Sequence, residues 1–137
     1  MLELTEAATR TAGIAVLAAT TVTTGGYLLL RINAGKAPVT DFQRRSFRAG
    51  HGHAGVFITL GLVCLVLTDA SGLSGGCWAW LARAGVLVAA ILMPAGFFFS
   101  AMGPDRRTPN RWSVLIYAGA SFLIAGLLTL GVGLIAV

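Results

Sequence analysis

Carboxylates are scarce in this chain: there are five Asp and Glu residues among 137, and none lies deep within a long apolar run. A proton or cation relay built on intramembrane carboxylates has no residues to run through, and an acidic cluster of the kind that holds two catalytic metals is excluded. Cysteine is limited to Cys64 and Cys77, too few for a disulfide framework and without the Cys-x-x-Cys spacing of a metal or redox motif. Cys64 sits among aliphatic residues, as a small core residue does. Cys77, at the outer end of the third apolar run, is placed to meet an oxidising exterior. Histidine occurs only at positions 51 and 53. No nucleophile stands beside a base, which argues against an enzyme acting on lipid.

Hydrocarbon is what the chain has in excess. It is 56 % hydrophobic and 11 % charged, against roughly 25 % charged in soluble domains. Four runs, at about 11–30, 50–68, 78–101 and 113–137, each approach the roughly 20 residues that cross the bilayer core as a helix. Lipid offers the backbone no hydrogen-bond partners, so four runs mean four helices. The expected fold is a single all-α membrane domain spanning residues 1–137, an up-down bundle of four transmembrane helices. The N-terminus, Met1-Leu-Glu-Leu-Thr-Glu, is acidic where a secretory signal is basic, so the first run is expected to remain as a span.

Charge placement orients the bundle. Arg31, Lys36, Arg44, Arg45 and Arg48 lie between the first and second runs, and Arg106, Arg107 and Arg111 between the third and fourth. Only Arg10 and Arg83 fall on the other side, with Glu3, Glu6 and Asp69. The positive-inside rule makes 31–49 and 102–112 cytoplasmic loops and gives an N-out, C-out topology. The net charge of +5 thus needs no nucleic-acid partner. The outer connection from Asp69 to Gly76 is short and rich in Gly and Ser, which makes the second and third spans antiparallel neighbours, and Asp69 is expected to pair with Arg83 across that hairpin. In the first basic loop, Thr40-Asp41-Phe42-Gln43 has the form of a capping box and predicts a helix start. Phe42 and Phe47 alternate there with Arg44, Arg45 and Arg48, a pattern that serves either as a topogenic collar or as an interfacial segment facing anionic lipid.

Several constellations invite a function. Gly119, Gly126 and Gly133 recur at seven residues, forming a groove for close helix approach, within one bundle or between protomers. Thr20, Thr24 and Tyr27 form a mildly polar stripe that either lines a wet path or bonds its own helix. Pro94 frees the Ala90 carbonyl, with Phe97, Phe98 and Phe99 at hand to fill a bend. His51 and His53 stand at the mouth of the second span. Imidazole can ligate haem or a transition metal, or pass protons. Residues two apart on a helix point about 200° away from each other, so one ion cannot be chelated by both from a regular helix. Met93, at comparable depth in the third span, offers a thioether as a second axial ligand.

Two resemblances accompany these residues. The His-x-His at a helix mouth weakly resembles the first histidine-bearing helix of haem–copper oxidase-like and nitric-oxide-response membrane families, which implies a haem or metal site at His51 or His53; the further histidines those families carry are missing here. The run Phe47-Arg-Ala-Gly-His-Gly-His-Ala-Gly-Val56, with Pro109-Asn110-Arg111 before a glycine-striped fourth span, resembles a group of small four-span membrane proteins of high-GC Gram-positive bacteria over most of the chain. That likeness implies a multi-pass protein of the bacterial plasma membrane, and no chemistry. The expected function is a non-enzymatic membrane module, embedded in the lipid bilayer, that self-associates or joins a larger membrane complex. The alternatives are a haem- or metal-binding protein using His51 or His53, and an oligomeric channel or small transporter.

Overall fold

The computed structural model describes residues 4–73 and 75–136. Glu3 of the acidic N-terminus, Ser74 of the outer connection and Val137 at the end of the fourth run lie outside the described residues. The described residues form four helices: α1 (Glu6–Asn33), α2 (Asp41–Ala70), α3 (Gly76–Ala101) and α4 (Val114–Ala136), the last preceded by a 3-10 turn at Arg111–Ser113. All four are long and apolar enough to cross a membrane.

The helices start and stop where local chemistry satisfies their ends. Thr5 caps α1, its Oγ1 accepting from the Ala8 amide at 3.2 Å. At the other end Gly35 adopts φ +70°, and the Gly35 and Lys36 amides return to the Ile32 and Arg31 carbonyls at 3.1 and 2.9 Å, a Schellman closure that needs a residue tolerant of the left-handed region. The capping box at Thr40 is complete: Thr40 Oγ1 accepts from the Gln43 amide, and Gln43 Oε1 accepts from the Thr40 amide. α2 therefore begins at Asp41, well before its apolar stretch, and Arg44, Arg45 and Arg48 stand on helix rather than loop. Gln43 is buried, and its Nε2 donates to the Ala101 and Gly103 carbonyls at 3.0 and 2.8 Å. One side chain thus starts α2 and supplies partners to the open end of α3. Asn110 does similar work for α4, donating to the Phe99 carbonyl and accepting from the Trp112 amide.

α3 is the centre of the molecule. Half of its most apolar stretch is buried, compared with 6 % for α1. It lies along α2 on one side and α4 on the other, whereas α1 rests on α2. Glycine permits this closeness. A Cβ added at Gly126 would fall 3.1 Å from the Leu81 carbonyl oxygen and 3.2 Å from the Gly85 Cα, and one at Gly119 would fall 2.8 Å from the Met93 nitrogen. α3 and α4 therefore meet backbone to backbone, the contact that holds helices together where lipid removes the hydrophobic drive between them. On the other flank Gly61 admits Leu87. Cys64, Ala82, Val86 and Leu130 close the apolar core between α2, α3 and α4.

One end of the bundle gathers Thr5, Asp69, Leu73, Arg83 and Gly133, and the opposite end gathers Asn33, Thr40, Arg48, Ala101 and Asn110. Consecutive helices are accordingly antiparallel. Gly126→Val should cost about 3 kcal/mol because the added methyls meet backbone that cannot move aside. Gly13→Val, with open space around it, should cost under about 1 kcal/mol. Reversible unfolding of both variants in mixed micelles measures the difference, and equal losses would mean that the α3–α4 contact is not tight.

Candidate functional site

At the Asp69 end, a single carboxylate ties three helices together. Asp69 Oδ1 accepts from Arg83 Nε and Nη2 at 3.1 and 2.7 Å, and Oδ2 accepts from the Thr5 amide and hydroxyl at 2.8 and 2.9 Å. The Asp69 side chain is 1 % exposed and that of Arg83 24 %, so the pair is largely out of water with every carboxylate oxygen occupied. Arg83 joins α3 to α2, and Thr5 joins the first turn of α1 to both. The remaining cation at this end, Arg10, pairs with Glu6 one turn away at the surface. At the opposite end, the eight Lys and Arg residues form no ion pair among the described residues.

A groove of about 490 Å³ opens between α1, α2 and α3. α1 is buried at Ala8, Ala15 and Ile32, and the Asn33 side chain accepts from Arg48 Nη2 at 2.9 Å; between these points the small residues Ala15, Ala18 and Gly25 leave the groove open. The groove is apolar apart from two threonine side chains and one imidazole, that of His51. Gly25 and Gly26 of α1 form the seat for this ring, which lies 3.1 Å from the position a Cβ on Gly25 would take. His51 has no hydrogen-bond partner among the described residues. His53 differs: its Nδ1 lies 2.7 Å from the Ala49 carbonyl oxygen, and its ring lies against Phe57 and Phe97, with centroids 5.3 and 5.1 Å away. α2 is a regular helix through both residues, so the two imidazoles stand in separate surroundings.

Met93 is buried on the α3–α4 seam, against Gly119, and does not line the groove that contains His51. The structure therefore does not bring a His51–thioether pair together for haem, and among the described residues no three His, Cys, Asp or Glu side chains gather around a common point. The glycine stripe of α4 is occupied within the chain: Gly119 meets Met93, Gly126 meets Gly85, and Gly133 meets Leu73. Thr20, Thr24 and Tyr27 are exposed on the face of α1 turned away from the bundle, with the Thr20 hydroxyl donating to the Leu17 carbonyl at 2.6 Å. Any path lined by these three residues would have to run between copies.

Sequence patterning does not single out Thr5, Gly25 or Gly26, and of the three only Gly25 falls within a periodic signal. Ala8, Ala15, Val22 and Leu29, interleaved with Thr11, Ala18, Gly25 and Ile32, repeat at seven residues, the period of a helix seam. This seam is the face of α1 turned toward α2 and the groove. Comparison of the chain with protein-family models, with curated proteins and with solved structures gives no match.

Removing the shared carboxylate tests the three-way tie. Asp69→Ala should destabilise the protein by about 3 kcal/mol by leaving Arg83 without its partner. It should also speed hydrogen exchange in the first two turns of α1 more than in α4. Uniform protection along α1 in the variant would mean that Asp69 does not hold that helix.

Proposed function

We propose that this chain is a non-enzymatic integral membrane module that acts by association, and that the outward face of α1 is where it joins a second copy or a larger membrane protein. The observation that carries this reading is the state of α1, which rests on α2 while turning Gly13, Thr20, Thr24 and Tyr27 outward. A span exposing hydroxyls and a glycine to hydrocarbon gains from a neighbouring helix, because small residues permit close approach and each hydroxyl oxygen retains capacity to accept a bond. The glycine stripe of α4 is engaged inside the chain and is not free for this purpose.

The same reading includes an N-out, C-out orientation. Eight of the ten Lys and Arg residues are at the Thr40 end, and the positive-inside rule turns that end to the cytoplasm. The resemblance to small four-span proteins of high-GC Gram-positive bacteria supports a bacterial plasma membrane as the location.

Energy transfer between differently labelled copies, measured in liposomes over a series of protein-to-lipid ratios, tests the association. Wild-type protein should give a dilution-dependent signal, and the Thr20→Leu, Thr24→Leu double variant should associate about tenfold more weakly, as expected for the loss of one or two interhelical hydrogen bonds in lipid. A wild-type protein that is monomeric at every ratio and co-purifies with no membrane partner would sink the proposal. A signal unchanged in the double variant would move the interface off α1.

A further inference from the structure

We propose that the groove between α1, α2 and α3 is a binding site for one anionic phospholipid, with an acyl chain along the groove, the ester region at His51 and the phosphate at Arg44. This site is independent of the outward face of α1.

The first support is an arginine whose chemistry is unfinished. Arg44 Nε is excluded from solvent and has no acceptor. A buried, charged donor without a partner is costly, and an anion seated beside it removes that cost. Arg44 precedes His51 by seven residues, two helical turns, and therefore shares its face of α2. Arg48 lies one turn beyond Arg44 and bonds Asn33 where the end of α1 meets α2, although its side chain lines the shallow pocket on the His53 side of α2 rather than the groove. Arg31 and Lys36 follow at the end of α1. None of these four cations forms an ion pair among the described residues, and the eight Lys and Arg residues at this end outnumber its two carboxylates, Asp41 and Asp105, so the field there is positive.

The second support is the order of chemical groups with depth. Going inward along α2 from Arg44, His51 comes after about 10.5 Å, at 1.5 Å per residue, and beyond it the α2 face of the groove is Ala54 and Ile58. Guanidinium, then imidazole, then hydrocarbon is the complement of phosphate, ester carbonyl and acyl chain. A ring N–H of the imidazole can donate to an ester carbonyl, which supplies the partner it lacks among the described residues. Along α1 the groove runs from Gly25 to Thr11, about 21 Å of helix, a length suited to one extended chain. Its side walls are fixed by the clamps at the two ends of α1, so the space does not depend on a partner protein.

Native mass spectrometry of the full chain released from nanodiscs of mixed phosphatidylcholine and phosphatidylglycerol reads this directly. One phosphatidylglycerol per protomer should survive activation that strips phosphatidylcholine. Arg44→Gln should reduce the phosphatidylglycerol preference about fivefold, the effect of one arginine near an anionic headgroup. Ala54→Phe, which fills the groove at its mid-depth, should abolish retention. If circular dichroism shows that Ala54→Phe does not fold, Ala18→Leu on the opposite wall carries the same expectation. Equal retention of both lipids, or phosphatidylglycerol retention unchanged in the groove-filling variant, would overturn the proposal by assigning the bound lipid to the general annulus. A retained molecule whose mass is not that of a phospholipid would overturn it as well.

Discussion

Gly85 and Gly126 let α3 and α4 meet at the level of their backbones, and in a lipid solvent this contact has no substitute. Between two helices already surrounded by hydrocarbon, burying another leucine gains little, so cohesion has to come from atoms brought close enough for dispersion and for weak polar contacts between peptide groups. α3 satisfies that requirement on both sides, with Gly119 and Gly126 of α4 on one flank and Gly61 of α2 on the other. The core of α2, α3 and α4 follows from these approaches.

α1 obeys a different rule. Polar clamps at its two ends hold it: the Thr5–Asp69–Arg83 arrangement at one, and the Arg48–Asn33 bond beside buried Ile32 at the other. Between the clamps its small seam residues leave room where larger ones would have closed it, and the groove is that room. The two faces of α1 consequently serve different proposed purposes. The outward face offers hydroxyls to another helix, and the inward face forms one wall of a cavity that contains a single polar ring.

The location of His51 links these features. Its neighbour two residues away, His53, is satisfied by its own helix and by aromatic rings, whereas His51 is set against two glycines and left without a hydrogen-bond partner among the described residues. A pair that reads as one motif along the chain is split by helical geometry into a packed residue and an open one.

Four helices, their approximate extents and the start of α2 at Thr40 were legible in the sequence, because hydropathy and capping depend on residues within a turn or two of each other. The Gly119, Gly126 and Gly133 spacing likewise announced a close approach, but not whether its counterpart belonged to the same chain. Tertiary structure decided that counterpart, placed Met93 on the α3–α4 seam away from His51, and brought Thr5 to Asp69 across 64 residues. It also opened the groove, since the gap beneath α1 depends on how far two clamps hold a helix from α3. Local chemistry is written into neighbouring residues, whereas the distance between helices is set by side chains that meet only after the chain has folded.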